Sequence, residues 1–135
     1  MGKPHKHTTH CNVMEKGEVR FIGRVTKVEG DISTIELYPE YCEGLDQLEM
    51  YYQIQVLYWF HLRDNEKHRS VLRVVPRRHG ETMERGVFAS RSPSRPNPIG
   101  STEVELISID GCVMTVRGLD ALKDSPIIDI KPIHM

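Results

Sequence analysis

The chain has 135 residues, of which 39% are hydrophobic and 27% charged, and its formal net charge is −1. This length accommodates one domain with its own core and is too short for two of ordinary size. No apolar run approaches the roughly 20 residues of a membrane span, the first residues lack a secretory signal, and three cysteines without CxxC spacing argue against a disulfide framework. We therefore expect an intracellular, cytoplasmic protein that does not associate with a membrane.

The first segment, residues 1–17, is predicted to be a flexible tail. It has little apolar content and contains four side chains able to bind metals, His5, His7, His10 and Cys11. Such a group could hold a metal ion, but a histidine-rich tail is the simpler interpretation, and we predict no metal site. The folded domain is then expected to span residues 18–135.

From Glu18 onward the pattern is mostly that of short strands. The first predicted elements are strands at 18–28 and 32–37 and one short helix within 39–50. The apolar run at 51–62 is predicted to be a core strand that ends at His61, and a loop follows at 63–70. Further strands are predicted at 71–75, 86–89, 99–109, 112–116 and 126–131. This set predicts a mainly β fold, a small antiparallel β-barrel of about seven strands with one or two short helices. Because βαβ alternation is missing, a Rossmann-type domain is disfavoured.

Basic residues concentrate in one part of the chain. Residues 63–95 contain 9 Lys and Arg against 4 Asp and Glu, although the net charge of the whole chain is close to zero. Such a block can attract phosphate groups or nucleic acid. A solvated loop region accounts for the same charges equally well.

The segment 86–100, GVFASRSPSRPNPIG, is predicted to be a rigid loop. Pro93, Pro96 and Pro98 each restrict the backbone and remove a hydrogen-bond donor. Such a loop holds its polar side chains at set positions, and here these are Arg91, Ser92, Arg95 and Asn97. A preorganised polar loop favours a ligand site over a simple connection, without identifying the ligand.

A second polar segment is 118–132, GLDALKDSPIIDIKP. Gly118 and Asp120 follow a strand, a usual place for functional side chains. Asp129 and Lys131 lie two residues apart and so share one strand face, where they could bind a polar ligand or form an exposed ion pair. His61, at the end of the core strand, is more often a structural residue than a catalytic one in such a position.

Four stretches carry a family resemblance: FIGRV, EGLDQLEMYYQIQVLYWFH, RGVFASRSPSRPNPIG and GLDALKDSPIIDIKP. Through them the chain resembles the TsaA-like family over about residues 18–133. The best-known members of that family are S-adenosylmethionine-dependent methyltransferases that modify N6 of threonylcarbamoyladenosine beside the tRNA anticodon. The resemblance implies S-adenosylmethionine as cofactor, a β-barrel-like fold distinct from the Rossmann methyltransferases, a homodimer, and tRNA rather than DNA as partner.

The resemblance also implies roles for individual residues. Matched by motif, the cofactor site would comprise His61, Arg91, Ser101, Arg117, Gly118, Leu119 and Asp120. Three of these are the candidates for catalysis, since Arg91 could stabilise developing negative charge and Asp120 or His61 could accept a proton.

The same matching extends to the substrate. It places four residues on the reaction or RNA-facing side: Arg95, Asn97, Asp129 and Lys131. The basic segment that leads into the rigid loop is expected to contact tRNA phosphates through Arg73, Arg77 and Arg78.

Two departures from the family pattern leave alternatives open. The chain has no insertion after its first strand, where KVEGDIS leads directly into the next strand, and it stops two residues after KPI. The bacterial members carry an additional loop and a C-terminal extension at these points. The alternatives are a methyltransferase with another acceptor and a non-catalytic module that senses S-adenosylmethionine.

Overall fold

The structure, a computed structural model, describes residues 14–76 and 82–134. Its eight strands are Gly23–Glu29 (β1), Ile32–Leu37 (β2), Gln53–Trp59 (β3), Arg73–Val74 (β4), Arg85–Gly86 (β5), Ile99–Asp110 (β6), Val113–Arg117 (β7) and Pro126–Pro132 (β8). The helical parts are one α-helical turn, Glu66–Arg69 (α1), and four 3-10 helices, Pro39–Leu45, Leu48–Met50, His61–Arg63 and Val87–Ala89. Within the described ranges no helix is long and apolar enough to cross a membrane.

Six of the strands form a closed, barrel-like ring. Their order is β1-β2-β7-β6-β3-β8, and β8 returns to pair with β1. All pairs in the ring are antiparallel, and β4 with β5 forms a separate two-stranded ribbon. The prediction of a mainly β fold without Rossmann topology is confirmed. The ring has six strands, where a barrel of about seven was predicted, and two further strands form the ribbon.

The core follows from alternation along the strands. On β3 the side chains of Ile54, Val56 and Tyr58 point inward and are buried, while their neighbours are partly exposed. Buried residues on the other five strands of the ring meet them inside, among them Val25, Ile35, Val104, Met114 and Ile127. Fully burying an aliphatic side chain contributes roughly 1.5–3 kcal/mol, so this inner face holds the ring together.

Four local predictions were wrong. The helix expected within 39–50 is two 3-10 helices, because Gln47 between them has a left-handed φ of 70°. The first strand begins at Gly23 rather than at residue 18, and the core strand ends at Trp59 rather than at His61. The loop expected at 63–70 contains α1, whose first turn is capped by the Asn65 side chain accepting a bond from the His68 amide.

One disulfide joins Cys42 to Cys112. No disulfide framework was expected from the sequence, and this single cross-link was missed. The two cysteines are 70 residues apart in sequence, but the end of β2 lies beside the start of β7, where the Leu37 amide donates to the Cys112 carbonyl at 2.9 Å. The bond therefore ties the 3-10 helix after β2 to the turn between β6 and β7.

Candidate functional site

A cleft of about 1170 Å³ opens beside the start of β6 and the end of β3. One wall is the rigid loop at 87–98, and the other is the turn at 119–122 that follows β7. Apolar side chains in the lining include Tyr58, Phe60, Leu62, Phe88, Leu119 and Leu122. Polar and charged ones include His61, Arg63, Ser90, Arg91, Arg95, Ser101, Glu103 and Asp120.

On the side that faces the cleft, the rigid loop is held by its own arginines, Arg91 and Arg95. Arg95 Nη1 donates to the carbonyl oxygens of Ser90 and Ser92, at 3.0 and 3.1 Å. Arg91 donates to the carbonyl oxygen of Ser101 at the start of β6. Arg95 thus lines the cleft while it braces the loop, and the exposed guanidinium of Arg91 bridges the loop to β6 inside the cleft.

On the side away from Arg91, the loop is hydrogen-bonded to α1 and to Arg63, which precedes α1. Ser94 is 8% exposed, and its hydroxyl accepts a bond from Arg63 at 2.9 Å and lies 2.8 Å from His68 Nδ1. Arg69 donates to the Pro96 carbonyl at 2.8 Å and to the Asn97 side chain at 3.3 Å. The predicted stiffness thus has a second source, because hydrogen bonds fix the loop that the prolines restrict.

The course of the other wall, the 119–122 turn, depends on the glycine that precedes it. Gly118 has a φ of 96°, which strains any residue with a Cβ, and its amide donates to the Asp31 carbonyl at 2.8 Å. The chain then turns so that Leu119 is buried while Asp120 faces the cleft. Within the described part of the chain the Asp120 carboxylate has no hydrogen bond or ion pair, so it is free to act on a ligand.

Tyr58 connects the floor of the cleft to this turn. Its hydroxyl donates to the Asp120 carbonyl oxygen at 2.7 Å and lies 2.9 Å from the Thr102 hydroxyl. Burial raises the pKa of Tyr58; the Thr102 hydrogen bond lowers it, and the Asp120 charge raises it further. The phenol accordingly stays protonated at neutral pH and serves as a hydrogen-bond donor.

The structure brings together part of the predicted site. Six predicted residues line the cleft: His61, Arg91, Arg95, Ser101, Leu119 and Asp120. Two predicted cofactor residues stand just outside it: Gly118, and Arg117, which pairs with Glu105 at 3.2 Å. Asn97 is held by Arg69 on the back of the loop.

The other predicted substrate residues lie elsewhere. Lys131 pairs with Asp129 at 3.5 Å on β8, and Asp129 lines a separate cavity of about 510 Å³. Arg73, on the β4–β5 ribbon, pairs with Glu84 at 3.0 Å. Arg77 and Arg78 fall outside the described residues.

Several lining residues were missed from the sequence. Phe60 precedes His61, Phe88 lies within the segment 86–100, and Glu103 shares a strand face with Ser101, so proximity to predicted residues is a signal for all three. Tyr58 gives no such signal, because a tyrosine in an alternating core strand looks like any other core residue.

Comparison with known proteins places this cleft in context. Residues 22–135 match the family model for the tRNA-methyltransferase O N-terminal domain. A probable S-adenosyl-L-methionine-binding protein of Methanothermobacter thermautotrophicus is 52% identical over 102 residues, covering 76% of this chain and 69% of the relative. An S-adenosyl-L-methionine-binding protein of Archaeoglobus fulgidus is 50% identical over 100 residues, covering 74% and 68%.

A solved structure shares the fold. The crystal structure of TrmO from Pseudomonas aeruginosa superposes with a TM-score of 0.67 at 27% identity, over 91% of this chain and 57% of that one. This chain therefore spans less than two thirds of that solved protein.

Proposed function

Because the chain belongs to the tRNA-methyltransferase O N-terminal domain family, we propose that it binds S-adenosylmethionine in the cleft and methylates tRNA. The acceptor is N6 of a modified adenosine beside the anticodon. The observation that carries the proposal is the cleft itself, in which Arg91 and the free Asp120 carboxylate occupy facing walls. The proposed domain is residues 18–135, and most of the predicted tail, residues 1–17, lies outside the described residues. The protein works in the cytoplasm as a homodimer of barrel-like subunits. Support for the dimer comes from the apolar rim of the cleft, where the side chain of Phe88 is 78% exposed and could be covered by a second copy of the chain.

The chemistry of the lining fits the proposed cofactor. S-adenosylmethionine combines an amino-acid carboxylate, a sulfonium cation and an adenine ring. Arginines suited to the carboxylate are Arg63, Arg91 and Arg95, and carboxylates suited to the cation are Glu103 and Asp120. Apolar surface for the base comes from Leu62, Phe88, Leu119 and Leu122.

The residues of the cleft then have defined tasks in methyl transfer. S-adenosylmethionine, when bound, supplies an activated methyl group. An acceptor nitrogen that took up this methyl group would have to give up one proton. Asp120 or His61 accepts that proton, while Arg91 stabilises negative charge that develops on the acceptor. The braced loop supplies alignment.

Methyl transfer is tested directly with purified protein, radiolabelled S-adenosylmethionine and unfractionated tRNA. We expect saturable binding of the cofactor by calorimetry and label in tRNA, with little label in tRNA prepared without the threonylcarbamoyl group. Label in protein or in another RNA would identify a different methyl acceptor. Binding without any transfer would favour the sensing module, and absence of binding would overturn the proposal.

The logarithm of the association constant for tRNA is expected to fall linearly with the logarithm of the salt concentration. Replacing Arg73, Arg77 and Arg78 together with alanine should reduce that slope by about 2 to 3, since each phosphate contact contributes about 0.7 to 0.9. The measurement is filter binding or fluorescence anisotropy over a salt series. As a control, Lys16, Arg20 and Lys27, which lie outside the basic segment, are replaced together; an equal reduction there would refute a specific role for the three arginines.

A further inference from the structure

Tyr58 has no assigned role in the proposed chemistry, yet it joins the floor of the cleft to the wall that carries Asp120. It lies at the cleft end of β3 on the inner face and is 4% exposed. Its hydroxyl lies 2.9 Å from Thr102 on β6 and 2.7 Å from the carbonyl oxygen of Asp120 on the turn. One side chain therefore contacts the floor of the cleft and the backbone of the wall that carries Asp120.

The direction of these hydrogen bonds follows from the groups involved. A carbonyl oxygen can only accept, so the single hydroxyl hydrogen of Tyr58 is donated to Asp120. The Thr102 hydroxyl must then donate to the Tyr58 oxygen. This chain of two bonds satisfies a hydroxyl that would otherwise be costly to bury.

The turn is anchored to the ring at both ends but sparsely in the middle. At one end the Gly118 amide donates to the Asp31 carbonyl at 2.8 Å, and at the other the Asp124 amide donates to the Val25 carbonyl at 2.7 Å. Among the described residues, the bond from Tyr58 is the hydrogen bond that ties residues 119–123 to a ring strand. Leu119 packs into the core beside it, but packing alone does not fix the direction of the next residue.

We propose that Tyr58 is a positioning residue: its bond to the Asp120 carbonyl holds the middle of the turn and aims the Asp120 carboxylate into the cleft. The part that concerns cofactor binding rests on the proposed function. The part that concerns the turn depends only on the geometry of the protein. Phenylalanine at this position would keep the buried ring and lose only the bond, so Tyr58→Phe isolates the effect.

Hydrogen exchange measured by mass spectrometry tests the turn without any ligand. The amides of the turn that are hydrogen-bonded are those of Asp124, to the Val25 carbonyl, and Ser125, to the Leu122 carbonyl. In Tyr58→Phe we expect the peptide spanning residues 119–125 to exchange about 3- to 10-fold faster at these two amides, the factor for one ordinary hydrogen bond, while peptides from β2 and β7 keep wild-type rates. Tyr38→Phe, a change at an exposed tyrosine, is the matched control. Wild-type exchange in the 119–125 peptide would overturn the proposal, as would acceleration spread over the whole ring.

Calorimetry with S-adenosylmethionine tests the consequence for the site. Tyr58→Phe should weaken binding about 5- to 10-fold, and Thr102→Val should weaken it less because Tyr58 keeps its donor. In an Asp120→Ala background Tyr58→Phe should have little further effect, since there is no carboxylate left to aim. If the losses of binding free energy caused by Tyr58→Phe and Asp120→Ala simply add in the double variant, the proposed coupling between the two residues is overturned. If wild-type protein binds no cofactor, the proposed function fails, and the exchange rates still decide the role of Tyr58.

Discussion

Replacement of Arg91 by alanine is expected to lower methyl transfer by at least about 100-fold, the usual effect of removing one preorganised group that stabilises transition-state charge. The guanidinium of Arg91 is exposed in the cleft and donates to the Ser101 carbonyl on β6. It therefore occupies a fixed place opposite Asp120. Because the side chain is exposed, the free energy of unfolding should change by less than about 1 kcal/mol.

The kinetic constants reveal what Arg91 does. If it stabilises the transition state, kcat falls in Arg91→Ala, whereas KM for the cofactor rises if it only grips the cofactor. Arg91→Lys keeps the charge but loses the planar pair of donors, so it should recover only part of the rate. Arg24→Ala removes an exposed arginine that pairs with Asp124 outside the cleft lining, and should retain activity. Turnover near the wild-type rate in Arg91→Ala would remove this residue from the mechanism.

The parts of the fold that the sequence predicted are those encoded locally. The apolar run from Tyr51 to Leu62, rich in β-branched and aromatic residues, identified the core strand that is β3, and β2 was predicted with the bounds it has in the structure. Arg91 and Asp120 were found because each lies in a loop with unusual composition or at the end of a strand. Both cases need only a few neighbouring residues to be recognised.

The parts that were missed depend on contacts between distant segments. Cys42 meets Cys112 only because β2 pairs with β7, and this register cannot be read from either cysteine. The role of Tyr58 likewise depends on Asp120, 62 residues further along the chain. Arg69 and Ser94 looked like ordinary polar residues until α1 was seen to lie behind the rigid loop.

The cleft itself results from unequal strand lengths. β6 has 12 residues and β7 has 5, and Arg117 at the end of β7 pairs with Glu105. The first residues of β6 therefore continue past β7 and pair with β3 alone. Since the rigid loop precedes this overhang and the 119–122 turn follows β7, one hairpin brings the two walls of the cleft together.

Gly100 lies in this overhang, and Gly100→Ala is expected to damage both fold and site. It pairs directly with Tyr58 across the β3–β6 ladder. An added Cβ would lie 2.5 Å from Tyr58 Cε2 and 2.7 Å from Phe60 Cζ. These two rings pack edge to face with centroids 5.5 Å apart, and Tyr58 is held at its hydroxyl end, so neither ring can move away without breaking contacts.

We expect Gly100→Ala to lower the free energy of unfolding by about 1–3 kcal/mol, the range for overpacking a filled interior. The affinity for S-adenosylmethionine should fall by more than in Tyr58→Phe, because the methyl group displaces Phe60 as well as the Tyr58 bond to Asp120. Gly44→Ala is the matched control, since a Cβ there meets no atom within 4 Å. Denaturant unfolding and calorimetry measure the two effects. A stable Gly100→Ala protein with wild-type affinity would show that the rings of Tyr58 and Phe60 move aside without cost. It would also show that the position of Tyr58 does not control binding in the cleft.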